Sequence, residues 1–160
     1  MKPRIVEIYE GQDGVGKTTA LTARRLELEE LYGYRVATLH YGLPLPEDWR
    51  PFYWHATLET LAAGFSAVLL DRSFISHWVY ETQPMFTGAD YVNLARDFNA
   101  LGAKVVWFRR PRRDIQITLE ERGEHDQVER IEELDLRYEQ AMTSIHPHIH
   151  VEQRQIRGAL

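Results

Sequence analysis

The sequence predicts an α/β fold, a five-stranded parallel sheet flanked by helices on both faces. Three observations lead there. Short β-branched runs alternate with amphipathic segments along the whole chain. Two of those runs are continuously apolar, which suits strands covered on both sides. At 160 residues the chain has the length of one domain with a single substantial core.

Ile5, Val6, Ile8 and Tyr9 form the first strand, which stops at a glycine cluster. Lys17 to Tyr32 reads as a helix with Leu21, Leu28 and Tyr32 on one stripe, and Gly33 sits beyond it as a cap. Val36 to Leu39 is the second strand, and Gly42-Leu43-Pro44-Leu45-Pro46 is a loop by composition. A helix is expected over roughly Phe52 to Ala63, followed by a buried strand, Ala67 to Leu70, that ends at Asp71. Thr87 and Asp90 have capping-box spacing before a helix with Tyr91, Leu94, Ala95, Phe98 and Leu101 on one face, closed by Gly102. Val105 to Phe108 is the fourth strand, with Pro111 at a first helical position after it. A long helix from about Gln127 to Met142 turns Val128, Ile131, Leu134, Tyr138 and Met142 to the core, and Ile149 and Val151 mark a fifth strand.

Composition narrows the functions. Acids outnumber bases 24 to 19, for a formal charge of −5, which disfavours a chain built to grip nucleic acid by its phosphates. Without cysteine there is no disulfide, thiolate metal site or thiol nucleophile. The apolar runs are far too short to span a membrane, and the one after Met1-Lys2-Pro3-Arg4 is too short for a signal-peptide core. The expected compartment is the cytoplasm.

Gly11-Gln12-Asp13-Gly14-Val15-Gly16-Lys17-Thr18 fills every fixed position of G-x-x-x-x-G-K-[ST], between a predicted strand and a predicted helix. Glycines let successive amides turn inward as a nest for phosphate oxygens, and the helix start adds its positive end. Sheet and loop together describe a P-loop NTPase fold, with Gly11, Asp13, Gly14, Val15, Gly16, Lys17, Thr18 and Thr19 around ATP. Lys17 reaches the β- and γ-phosphates, and the Thr18 hydroxyl serves Mg²⁺. No N-K-x-D guanine-reading motif is present, and motor or AAA-type modules are larger, which leaves a small-molecule kinase.

Asp71-Arg72-Ser73 follows the third strand directly, at the strand end where such sheets place ligands. Asp71 there can hold Mg²⁺ through its waters, and Arg72 can fork onto an acceptor phosphate.

Tyr9-Glu10-Gly11-Gln12-Asp13-Gly14-Val15-Gly16-Lys17-Thr18-Thr19 resembles the first motif of thymidylate kinases. Asp71-Arg72, Ser76 and Tyr80 resemble that family's second motif, and Arg122-Gly123-Glu124-His125-Asp126 with Glu129 and Tyr138 is similar to its lid and following helix. Deoxynucleoside kinases are close relatives, with Glu-Arg-Ser at the second motif. The resemblance implies that Asp13 holds the sugar 3′-hydroxyl, and that Arg72 clamps the acceptor 5′-phosphate. It implies that Tyr80 packs under C2′ and that Arg122 closes over the transferring group. The expected activity is phosphorylation of a deoxynucleoside monophosphate, dTMP above others, with small-molecule nucleotides as partners and a lid over about 109–127. A homodimer is left open. Two alternatives stand: a deoxynucleoside kinase acting on the free 5′-hydroxyl, with Glu10, Asp13 or Asp71 as base, and a non-catalytic ATP-binding switch.

The chain departs from that family in places. His40-Tyr41-Gly42-Leu43-Pro44 stands where an arginine loop is usual, and Thr118 and Gln127 replace two lid arginines. The base-reading segment is shortened; Arg50, Phe52, Tyr53 and Trp54 lie within it, as substrate contacts or as core. Arg109-Arg110-Pro111-Arg112-Arg113 either supplies the lid and the donor nucleotide, Arg113 foremost, or pairs with the acids between Glu120 and Glu139. His146, His148 and His150 would share one face if they lay on a strand, and are read as structural. Glu10 is read as a structural hydrogen-bonding group behind the loop.

Overall fold

The computed structural model describes residues 2–42, 49–81 and 86–157, with the side chains of 49–51 outside that description. The loop expected at 42–46 therefore lies outside the described residues beyond Gly42. Five strands, β1 (Ile5–Glu10), β2 (Val36–His40), β3 (Ala67–Asp71), β4 (Lys104–Arg109) and β5 (His150–Gln155), are ordered β2-β3-β1-β4-β5. Every pairing is parallel. This is the predicted sheet, with β1 at its centre.

Alternation along the strands explains why both faces are covered. Val6, Ile8, Val68, Leu70, Val105 and Trp107 point to one side. There they meet α2 (Trp49–Ala62), α3 (Phe74–Tyr80), α4 (Gly88–Ala100) and α7 (Ile131–Ile145). Tyr9, Ala67, Leu69, Val106 and Phe108 point to the other, against α1 (Lys17–Leu26) and α5 (Arg112–Glu121). All five residues of β3 are buried, which is why its sequence shows no polar alternation. No helix among the described residues is long and apolar enough to cross a membrane.

The departures from expectation are local. α1 ends at Leu26 and continues as a π-helical turn, Glu27–Leu31. The wider turn keeps Leu28 in the core but rotates the residues after it, so Tyr32, expected on the same stripe, is exposed. α3 has no counterpart among the expected elements. Its seven residues, FISHWVY, are aromatic and β-branched and form a helix because Ser73 caps it and Phe74, Ile75 and Val79 are buried. Pro111 is the N-cap of α5 rather than its first residue. The single helix expected from Gln127 is two, a turn α6 (His125–Val128) and then α7, whose new N-terminus is favoured by Glu132 and Glu133 in its first turn. His146 caps α7 and only His150 is in a strand, so the three histidines share no strand face.

One charge is enclosed beside the core. Glu7, on β1, accepts from Tyr9 Oη at 2.9 Å and from Arg24 Nη2 and Nε at 3.0 and 3.2 Å, with Lys104 Nζ 3.4 Å away. Burial alone would raise this carboxyl, but Arg24, Tyr9 and Lys104 outweigh it and hold it below the usual carboxylate range. Its stabilisation is complete above the unfolded carboxylate pKa and is lost as pH falls through the lower folded value. Glu7→Gln should destabilise the protein by roughly 2–3 kcal/mol at pH 7. Urea melts from pH 7 to 3 should show that deficit vanishing in acid; a deficit of constant size would mean that packing, not charge, is its source.

Candidate active site

The phosphate loop runs from the end of β1 to the start of α1, and its conformation requires its glycines. Gly11 has φ +142°, and a Cβ there would lie 2.6 Å from Phe108 O. Gly16, at φ +93°, is the N-cap of α1 and offers no side chain to that helix's first amides, which remain donors for an anion. The loop's carbonyls are held from outside. Tyr138 Oη donates to Gly11 O at 3.1 Å, and Arg110 Nη1 to Gly14 O at 3.0 Å. Gln12 Nε2 in turn donates to Ile131 O of α7 at 3.1 Å.

Lys17, first residue of α1, folds over this loop, its Nζ donating to Gly11 O at 2.6 Å and Gln12 O at 2.8 Å. Burial, with the Arg72 charge adding to it, pushes its pKa down to about 8. An arriving polyphosphate would relieve both effects. Thr18 and Thr19 follow on the exposed side of α1.

At the end of β3, Asp71 is buried with its Oδ2 3.0 Å from Nδ1 of His40, the residue paired with it on β2. Arg72 has φ +70°, the only positive value outside glycine among the described residues. Such strain persists where the surroundings over-determine it. Its amide donates to Tyr9 O at 3.0 Å, its guanidinium pairs with Asp13 of the phosphate loop, and it lies 5.4 Å over the Tyr80 ring. Burial disfavours the Arg72 charge, but Asp13 outweighs it and holds the guanidinium above the usual arginine range. Asp13, Lys17, Arg72 and Tyr80 are thus gathered in one place by three separate elements.

Behind them lies a closed polar cluster. Ser73 Oγ donates to Glu10 Oε1 at 2.6 Å and Ser76 Oγ to Glu10 Oε2 at 2.5 Å. Tyr138 Oη is 3.0 Å from Ser76 Oγ. Burial raises the Glu10 carboxyl pKa against the opposing pull of Ser73 and Ser76. Ser76 is buried here, bonded to Glu10 and facing Tyr138.

The remaining expected residues stand as follows. Tyr53 is buried against Tyr41, with ring centroids 4.5 Å apart, and Trp54 packs on Phe98. Arg50 belongs to α2, but its side chain lies outside the described residues. Arg113 and Arg122 are exposed, at the start and C-cap of α5. Of the arginine cluster, Arg109 pairs with Asp135 and Glu139, and Arg112 with Glu132 and Asp135, as the acidic-helix reading expected. Arg110 turns to the loop instead. Sequence reasoning missed it because four arginines within five residues give no sign of which one points inward. His40 was missed too, though its place at the end of a strand beside β3 was a usable signal.

The sheet order and the loop after its central strand define a P-loop NTPase fold. Among solved structures, the YorR protein from Bacillus subtilis, in complex with phosphorylated GDP, superposes with a TM-score of 0.64 at 21% identity, covering 94% of this chain and 85% of that one. Thymidylate kinase from Ehrlichia chaffeensis gives 0.61 at 13% identity, covering 99% and 89%. These likenesses establish the fold. No protein-family profile matches the sequence, and neither does any curated protein.

Replacing the two loop glycines separates crowding from backbone strain. Gly16→Ala, with nothing within 4 Å of its new Cβ, should cost about 1–2 kcal/mol. Gly11→Ala meets backbone as well as strain and should cost on the order of 3 kcal/mol or more. Equal midpoints in denaturant for the two variants would contradict this placement of the loop.

Proposed function

We propose that the protein transfers the γ-phosphoryl group of Mg-ATP to the 5′-phosphate of a deoxynucleoside monophosphate, dTMP being the expected acceptor. The observation that carries this is that two cations converge on Asp13 of the phosphate loop: Lys17, buried at the start of α1, and Arg72, half-buried at the end of β3 and paired with that carboxylate. Like charges brought together in a desolvated place repel, and two phosphate groups are what the pair would neutralise. Lys17 serves the donor and Arg72 the acceptor. The fold shared with a thymidylate kinase, and with a protein that holds phosphorylated GDP, supports the class of ligand.

The ion pair between Arg72 and Asp13 supports an order of events. An incoming monophosphate offers Arg72 an anion in place of the Asp13 carboxylate. Asp13 is then released for the sugar 3′-hydroxyl, and the Tyr80 ring beneath leaves little room for a 2′-hydroxyl. Thr18 and Asp71 are hard oxygen donors of the kind Mg²⁺ takes. Thr18 and Asp71 would hold the metal, which would supply neutralisation of phosphate charge. An acceptor oxygen forms a bond to the γ-phosphorus while the bond from that phosphorus to its bridging oxygen breaks. ADP leaves with the electron pair, and no proton has to be removed from the anionic acceptor. The region 109–127 acts as a lid in this reading, with Arg122 closing over the transferring group and Arg113 at the donor.

Transfer to a free 5′-hydroxyl requires a base. Glu10 is enclosed by hydroxyls and Asp13 is paired with Arg72. Asp71 with His40 is the one couple that favours this second reading. A binding switch would have no use for Arg72, Asp13 and Tyr80 together.

A phosphotransfer panel with Mg-ATP against each deoxynucleoside monophosphate, its ribo counterpart and its free nucleoside tests the proposal. Diphosphate should form from the deoxy monophosphates, dTMP first. Products from nucleosides alone would reject it, and ATP binding without transfer would favour the switch. Lys17→Ala should lower turnover at least tenfold.

A further inference from the structure

Arg110 is the first residue after β4, and its guanidinium reaches two elements at once. Nη1 donates to Gly14 O at 3.0 Å and to Thr118 Oγ1 of α5 at 2.9 Å. Thr118 Oγ1 itself donates to Asp114 O at 3.0 Å, so the bridge rests on a fixed turn of α5. Arg110 Nε is buried without a hydrogen-bond partner, with Asp114 Oδ2 4.0 Å away. The side chain accepts that cost while Arg109 and Arg112 take acids of α7.

A trans peptide carries its C=O and N–H on opposite sides. Holding Gly14 O toward Arg110 therefore points the Val15 N–H the opposite way, away from the Arg110 guanidinium. We infer that Arg110 is a positioning residue for the donor nucleotide: it fixes the Gly14–Val15 peptide and ties the phosphate loop to α5. Position 118, where an arginine is usual in the resembled family, holds a threonine, and the guanidinium beside it comes from position 110. The inference rests on the ATP-binding reading above and adds Arg110 to the residues that serve the donor.

The test is direct titration of Mg-ATP, together with separate KM values for donor and acceptor, on Arg110→Ala, Arg110→Lys and Thr118→Val. Arg110→Ala should weaken Mg-ATP roughly 10- to 100-fold, as expected for a charge-assisted bond, and raise the donor KM alike while leaving the acceptor KM unchanged. Arg110→Lys keeps the charge but not the fork, and should recover part of the affinity. Thr118→Val should weaken donor binding a few-fold, with an effect not additive to that of Arg110→Ala. Unchanged donor affinity in Arg110→Ala, with wild type binding normally, overturns the inference and leaves the proposed function intact. So does an equal rise in both KM values with a lowered melting temperature, the mark of a merely structural role. If wild type fails to bind Mg-ATP, both fall. Should Arg110→Ala not fold, the lysine and valine variants decide by the same readouts.

Discussion

Glu10 ends β1 fully enclosed, and Ser73 and Ser76 at the start of the next-door α3 both donate to it. Tyr138 from α7 closes the cluster onto the Gly11 carbonyl. This carboxyl ties the end of β1 to the start of α3. The phosphate loop leaves β1 directly after it, and the turn that carries Arg72 directly precedes Ser73. A buried polar cluster with every link occupied is rigid, whereas a missing partner would leave a desolvated group unsatisfied. The left-handed Arg72 is held between two such constraints, its amide on Tyr9 O and Ser73 beyond it on Glu10.

The charge segregation visible along the chain resolves into two uses. The acidic helix α7 takes Arg109 and Arg112, pinning the end of β4 against the α3 side of the sheet's rim. Arg137 of the same helix donates to Val79 O and Glu81 O, satisfying carbonyls at the end of α3. Lys17, Arg72 and Arg110 lie in the segments that follow three different strands, β1, β3 and β4. Net charge gave no hint of such a local concentration, since it sums over the whole surface.

Most of the fold was legible because its signals are local: a continuously apolar β3, a capping box at Thr87 and Asp90, glycines at the loop and at helix ends. What was lost was tertiary. FISHWVY has poor helix propensity and folds as α3 because its apolar face is buried, and the π-helical turn after Leu26 leaves no compositional trace. In the site, Gly11 through Thr18 and Asp71-Arg72 were readable as spacing. Their partners were not: that Asp13 meets Arg72, that Tyr138 reaches Gly11, or that Arg110 rather than its neighbours faces the loop depends on contacts between distant segments.

The parallel register of β1 and β3, with Tyr9 opposite Asp71, carries a kinetic implication. The two halves of the site are far apart in the chain, as Ser73 and Glu10 are by 63 positions, and parallel strands can meet only after a full crossover has been made. Closing so long a loop is entropically slow, and no local structure substitutes for it. A chain emerging from synthesis would hold its glycine loop long before it held anything able to use it. Asp13 and Arg72 therefore meet only when the third strand docks beside the first, and the groups that hold the phosphate loop from outside, Arg110 after β4 and Tyr138 on α7, come later still in the chain.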